Sequence, residues 1–165
     1  MTAIALTIAG SEASGGAGAQ TDLKTFHTLG VYGCTALTCI VSMDPKAGWD
    51  HRFVPVDPQV IKDQIEATCA VHDIDTVKIG MLGSAGAVEV VGQWLQEQKP
   101  PLCVIDPVMV ATAGGTLLES EALGAVLELL GSADLVTPNL TELASLLDRP
   151  GRRVRAYTGR TDPEE

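Results

Sequence analysis

The sequence predicts an α/β domain built on a mainly parallel sheet with helices on both sides. Two observations carry this. Apolar runs that lack a polar face alternate with segments of helical period along almost the whole chain, and strands of that kind belong to sheets buried on both faces. The length, 165 residues of which 45% are hydrophobic and 19% charged, allows one domain with a real core, is short for two, and sets intrinsic disorder aside.

Residues 3–9 (AIALTIA) form a continuous apolar run bounded by Gly10 and suit a buried strand. Gly15, Gly16 and Gly18 follow in a loop of small residues, after which Leu23, Phe26 and Leu29 give residues 20–29 a helical period. Residues 32–41 read as a second strand, and 43–52 (MDPKAGWDHR) as a turn-rich segment. A helix is expected over 57–71, with Asp57 as its N-cap and Pro58 at its first position. The alternation continues with a strand at 76–79, a helix at 84–96 and a strand at 102–105 that ends at Asp106-Pro107. A helix at 120–130, a short strand at 135–137 and a helix at 140–147 complete it.

No apolar stretch reaches the ~20 residues needed to cross a bilayer. The N-terminus, MTAIALTIAG, has no basic region and runs into the glycine loop, so it reads as a strand and not as a signal peptide. Cys34, Cys39, Cys69 and Cys103 show no metal-like spacing and suggest no disulfide framework, so a reducing, cytoplasmic location is expected. With 21 acidic and 11 basic residues the formal net charge is −10, which argues against nucleic acid or an anionic membrane as a partner. An anionic ligand then has to be held by local devices, such as backbone amides and metal ions.

The charge balance reverses near the end. Residues 1–148 hold six Lys and Arg against eighteen acids, whereas 149–165 (RPGRRVRAYTGRTDPEE) hold five Arg against three acids and show no periodic apolar pattern. Residues 1–148 are therefore expected to belong to the domain and 149–165 to lie outside its fold. That tail is either a solvated extension or the appended end of a chain that stops early.

In open α/β sheets the ligand crevice lies beyond the carboxyl ends of the strands, and four such places stand out. The first is AGSEASGGAG, 9–18, where glycines permit close backbone approach ahead of a helix N-terminus that favours anions; a simple tight turn is the alternative, and the spacing matches neither GxGxxG nor GxxxxGK[ST]. The second is KIGMLG, 78–83, where Met81 is either core filler or a ligand contact. In the third, Asp106-Pro107-Val108-Met109, the carboxylate is placed at the crevice, or it simply opens a turn. The fourth is TPNLTE, 137–142. Asn139 and Glu142 there suit a capping box, or they offer oxygen ligands to a hydrated Mg²⁺.

Taken in chain order, these places resemble the vitamin-kinase branch of the ribokinase-like superfamily, which contains the hydroxymethylpyrimidine (phosphate) kinases of thiamine synthesis and the bacterial pyridoxal kinases. The resemblance is carried by AGSEASGGAGAQTDLKTF (9–26), GVYGCTALT (30–38), VKIGMLGS (77–84), VIDPVMV (104–110) and VTPNLTELASLL (136–147). Glu12 stands where Asp is usual in the first of these motifs.

The resemblance implies a three-layer ribokinase-like sandwich that uses MgATP to phosphorylate a hydroxymethyl group on a small aromatic ring, and a homodimer in complete members. Carried onto this chain, Gly10 and Asp22 would face the substrate while Met81 and Val108 would line the ring pocket. Asp106 and Asn139 would lie toward the phosphates, and Asp106 and Glu142 toward Mg²⁺. Met43 bears on the choice of ring: the pyrimidine kinases commonly place a Gln there to bond the aminopyrimidine edge, and a thioether cannot supply that paired donor and acceptor. VSMDPKAGWDH looks like the Gram-positive pyridoxal kinases, so pyridoxal or pyridoxine is expected, with hydroxymethylpyrimidine as the alternative.

Family members continue to a G-[AT]-G-C-T motif whose amides form the anion hole, and no such segment occurs here. No catalytic residue is therefore assigned. The chain is expected to be the N-terminal part of such a kinase, C-terminally truncated and inactive on its own, since phosphoryl transfer depends on positioning and charge stabilisation. A dinucleotide-binding domain is disfavoured by the glycine spacing. A non-catalytic remnant that still binds the ring stays open.

Overall fold

A computed structural model of the chain describes residues 2–48, 50–108 and 123–146. Its elements run β1 (Ile4–Glu12), α1 (Gly18–Thr28), β2 (Tyr32–Asp44), β3 (Asp50–Pro55), α2 (Pro58–Val71), β4 (Thr76–Ile79), α3 (Ala85–Gln98), β5 (Cys103–Ile105), α4 (Leu123–Leu130), β6 (Leu135–Val136) and α5 (Leu140–Leu146). The six strands form one sheet in the order β3-β2-β1-β4-β5-β6. Every pairing is parallel except that of β2 with β3.

β1 is the central strand, and its sequence shows why. Residues 5–10 are all buried, which requires apolar or small side chains on both faces. Leu6 and Ile8 point into the larger layer, where they join Val77, Ile79, Cys103 and Ile105 against Ile61 and Ile65 of α2, Val88 and Val91 of α3, and Val126 and Leu129 of α4. Thr7 points the other way, and there Asp22 of α1 reaches it. α1 packs on β1 and β2. The helices thus lie on both sides of the sheet, giving the expected three layers.

The helix starts follow their expected chemistry. Asp57 accepts from the Gln59 amide with Pro58 at the first position of α2, and the Ser84 hydroxyl accepts from the Ala87 amide at the start of α3.

One expectation is corrected. Residues 43–52 are not simply a turn: β2 continues to Asp44, and β3 returns antiparallel from Asp50, pairing Met43 with His51. The turn chemistry is confined to the tip, where the Asp44 carboxylate accepts from the Lys46 amide. β3 shows no apolar alternation because it is an edge strand, exposed over most of its length. The short strand expected over 135–137 is observed as Leu135–Val136. Residues 120–122 and 147 of the expected helices, the boundary after 148 and the tail 149–165 lie outside the described residues. No helix among the described residues is long and apolar enough to cross a membrane.

Candidate functional site

The strand order reverses direction between β1 and β4. From β1 the chain crosses through α1 to β2 on one side, whereas from β4 it steps through α3 and α4 to β5 and β6 on the other. At such a switch point the two connections leave on opposite faces and open a crevice at the carboxyl ends of the strands. The last residues of β1, Gly10 to Glu12, lead here into the loop 13–17, and Gly80 to Gly83 leave β4, with Asp106 to Val108 following β5 and Thr137 to Asn139 following β6. The sequence-predicted residues Gly10, Met81, Asp106, Val108 and Asn139 are therefore all brought to one end of the sheet.

The loop after β1 is held by Glu12. Its carboxylate accepts from the Ser14 amide at 2.7 Å, the Ser14 hydroxyl at 2.6 Å and the Gly16 amide at 2.9 Å. These bonds, led by the Ser14 hydroxyl, hold the Glu12 carboxyl below its ordinary value. The amides ahead of α1 are thus partly satisfied by the chain's own carboxylate. Gln20 fastens the same loop from α1, accepting from the Glu12 amide and donating to the Ser11 hydroxyl. Gly18, at φ +63°, is required both by its left-handed backbone and because a Cβ would run into the Gly10 carbonyl.

Asp22 sits beneath the crevice. Its Oδ2 accepts from the Thr7 hydroxyl at 2.6 Å and from the Lys78 ammonium at 2.9 Å. Lys78 rises from β4 toward the strand ends, and a Cβ on Gly80 would stand 2.8 Å from its Nζ. Asp106 is the third member of this group. Burial raises its carboxyl above the ordinary value, while the Lys78 ammonium pulls it back and the Asp22 carboxylate adds to the rise. Lys78 thus pairs directly with Asp22 and acts on Asp106 only through its charge.

Asn139 and Glu142 form the capping box. The Asn139 Oδ1 accepts from the Thr141 and Glu142 amides at 3.0 Å each, and the Glu142 carboxylate accepts from the Asn139 amide at 2.8 Å. Glu142 is only 3% exposed. A hard ion such as Mg²⁺ takes oxygen ligands and needs one or two carboxylates together with phosphates and water. The described residues contain no cluster of three or more ionisable ligands that could hold a metal by themselves; the carboxylates of Asp106 and Glu142 are of the kind such an ion takes, with phosphate and water completing its shell.

Met43 lies farther out, half-buried on the β2–β3 hairpin opposite His51. At the ends of β4 and β5, Gly80, Leu82, Asp106 and Val108 border a crease of about 20 Å³, backed by Val88, Val126 and Leu129 of the helix layer. Roomier grooves, about 280 Å³ between α2 and α3 and about 430 Å³ between α3 and α4, lie along the outer helix faces, away from the strand ends.

Thr7, Gln20 and Lys78 were not singled out from sequence. Lys78 had a local signal, since a charged residue inside the apolar strand TVKI needs a partner. Thr7 acts through a bond to Asp22, 15 residues on, and Gln20 through bonds to the loop 8 and 9 residues before it, and no spacing rule reveals either.

The phosphomethylpyrimidine kinase family model matches residues 12–159. The chain is 43% identical over 143 residues to pyridoxine kinase of Bacillus subtilis, covering 86% of this chain and 53% of that protein. It is 41% identical over 150 residues to hydroxymethylpyrimidine/phosphomethylpyrimidine kinase of Escherichia coli, covering 90% and 56% respectively. Among solved structures, pyridoxal kinase from Staphylococcus aureus in complex with AMP-PCP and pyridoxal superposes with a TM-score of 0.77 at 38% identity, covering 88% of this chain and 51% of that one. The chain spans about half the length of the curated relatives it matches.

Proposed function

The chain belongs to the phosphomethylpyrimidine kinase family, and we propose that it supplies the ring-side wall and the phosphate-facing carboxylates of a kinase that phosphorylates the hydroxymethyl group of a pyridoxal-class ring. ATP would supply the γ-phosphoryl group and Mg²⁺ would offset the charge of its phosphates. In this reading Gly10, Asp22, Met81 and Val108 bound the ring, Asp106 and Asn139 face the phosphates, and Asp106 and Glu142 hold the ion.

The observation that carries the ring assignment is Met43. Its thioether offers an apolar surface with only a weak acceptor, so it suits a pyridine ring better than an aminopyrimidine edge that asks for a paired donor and acceptor. The relatives include both kinds of kinase, so substrate choice rests on such pocket residues.

Calorimetric titration of the chain with pyridoxine and with hydroxymethylpyrimidine, each with and without MgATP, tests the reading. Tighter binding of pyridoxine supports it, and tighter binding of the pyrimidine transfers the chain to thiamine synthesis. Ring binding that MgATP leaves unchanged would favour a binding remnant.

A further inference from the structure

β2 carries a bulge directly beneath the crevice. Ala9 pairs with Leu37 but Ser11 pairs with Ile40, so Thr38 and Cys39 together stand opposite the single residue Gly10. Adjacent side chains of a regular strand point to opposite faces, and a bulge re-aims them. The burial phase of β2 shifts accordingly, from Ala36 and Thr38 before the bulge to Cys39 and Val41 after it. Both bulge residues are fully buried, at 0% exposure.

Each reaches a different lip of the crevice. The Thr38 hydroxyl donates to the Met81 carbonyl at 2.6 Å, across 43 residues of sequence. Cys39 fills the space between the two glycine exits: a Cβ on Gly10 would stand 2.7 Å from its Sγ, and one on Gly83 would stand 3.3 Å away. Gly83, at φ +76°, already has a backbone that excludes other residues. The small, soft thiol acts here as a spacer in a closely packed interior where a change of one atom is felt.

We infer that Thr38 and Cys39 are positioning residues for the ring pocket, with Thr38 fixing the backbone of Met81 and Cys39 setting the separation of the β1 exit at Gly10 from the β4 exit at Gly83. The inference rests on the ring-binding reading above. Neither residue touches the ring; both act through the loops that do.

The test is a double-mutant cycle on the 165-residue chain, read by calorimetric affinity for pyridoxine and by melting temperature. Gly10→Ala should weaken pyridoxine binding about tenfold or more, and adding Cys39→Ala should restore it to within about threefold, because the missing sulfur makes room for the new methyl group. Thr38→Val should weaken binding by a similar factor while Thr38→Ser keeps it, a pair that remains readable if Gly10→Ala fails to fold. A double variant no better than Gly10→Ala, or Thr38→Val with unchanged affinity, would overturn the inference. Should the unmodified chain bind no pyridoxine, the ring reading itself fails. The melting temperatures then decide the spacer alone: rescue of Gly10→Ala by Cys39→Ala supports it, and simple additivity refutes it.

Discussion

Lys78 and Asp22 meet at 2.9 Å across the switch point of the sheet, joining a strand that leads to Met81 with the helix that follows the glycine loop. The pair is mostly buried, with 24% and 16% of the side chains exposed, and Thr7 shares the same carboxylate oxygen. Such an arrangement leaves an uncompensated charge when either partner is removed.

Lys78→Met should therefore destabilise the chain by roughly 1–3 kcal/mol, since the pair keeps some access to water and falls short of a fully buried one. In urea unfolding, the double variant Asp22→Asn with Lys78→Met should lose less than the sum of the two single changes. Strict additivity would show that the two side chains do not depend on each other.

Glu12 gives a dependence on pH. Its carboxyl is held below its ordinary value in the folded chain by the Ser14 and Gly16 bonds, so the unfolded chain takes up the proton first as the pH falls. The stabilisation is complete above the unfolded value and is lost as the pH drops through the folded value. Glu12→Gln keeps an acceptor but not the charge. Its melting temperature should lie below that of the unmodified chain at neutral pH, and the gap should narrow on acidification. A gap that widens toward low pH would contradict the bonding described.

Glu142 separates two roles. Glu142→Gln can still accept from the Asn139 amide, so folding should change little, whereas Glu142→Ala should cost about 1 kcal/mol through loss of the cap. If the carboxylate also faces Mg²⁺, Glu142→Gln should weaken Mg²⁺-dependent ATP binding measured by calorimetry. Unchanged binding would leave Glu142 as a cap alone.

The sequence made some of this legible and hid the rest for physical reasons. Residues 3–9 declare a central strand because a strand covered on both faces must be apolar throughout, and Asp57-Pro58 declares a helix start because both residues act locally. The edge strand β3 was hidden because its pattern answers to solvent and not to a core. The bulge at Thr38 and Cys39 was hidden because it exists only relative to the register of β1. Gly10, Met81, Asp106 and Val108 were expected at the strand ends and lie there, whereas Asp22, inside α1, was reached only through the family resemblance. Lys78 carries a local signal, a charge inside an apolar strand, but its partner Asp22 lies 56 residues away and nothing local names it.

Met43 offers the direct probe of substrate choice. Met43→Gln places an amide donor and acceptor on the hairpin, so the ratio of pyridoxine to hydroxymethylpyrimidine affinity should fall by about tenfold, within the range that a polar pocket group contributes to discrimination. A ratio left unchanged would remove Met43 from the ring pocket.

Amide chemical-shift mapping of the isotopically labelled chain, titrated with pyridoxine, addresses the central claim that the ring lies at the β1–β4 switch point. Shifts should concentrate at residues 10–18, 80–83 and 106–108, with smaller changes around Met43. Shifts confined to the α2–α3 groove around Cys69 and Trp94, which is roomier than the crease at the strand ends, would contradict the account.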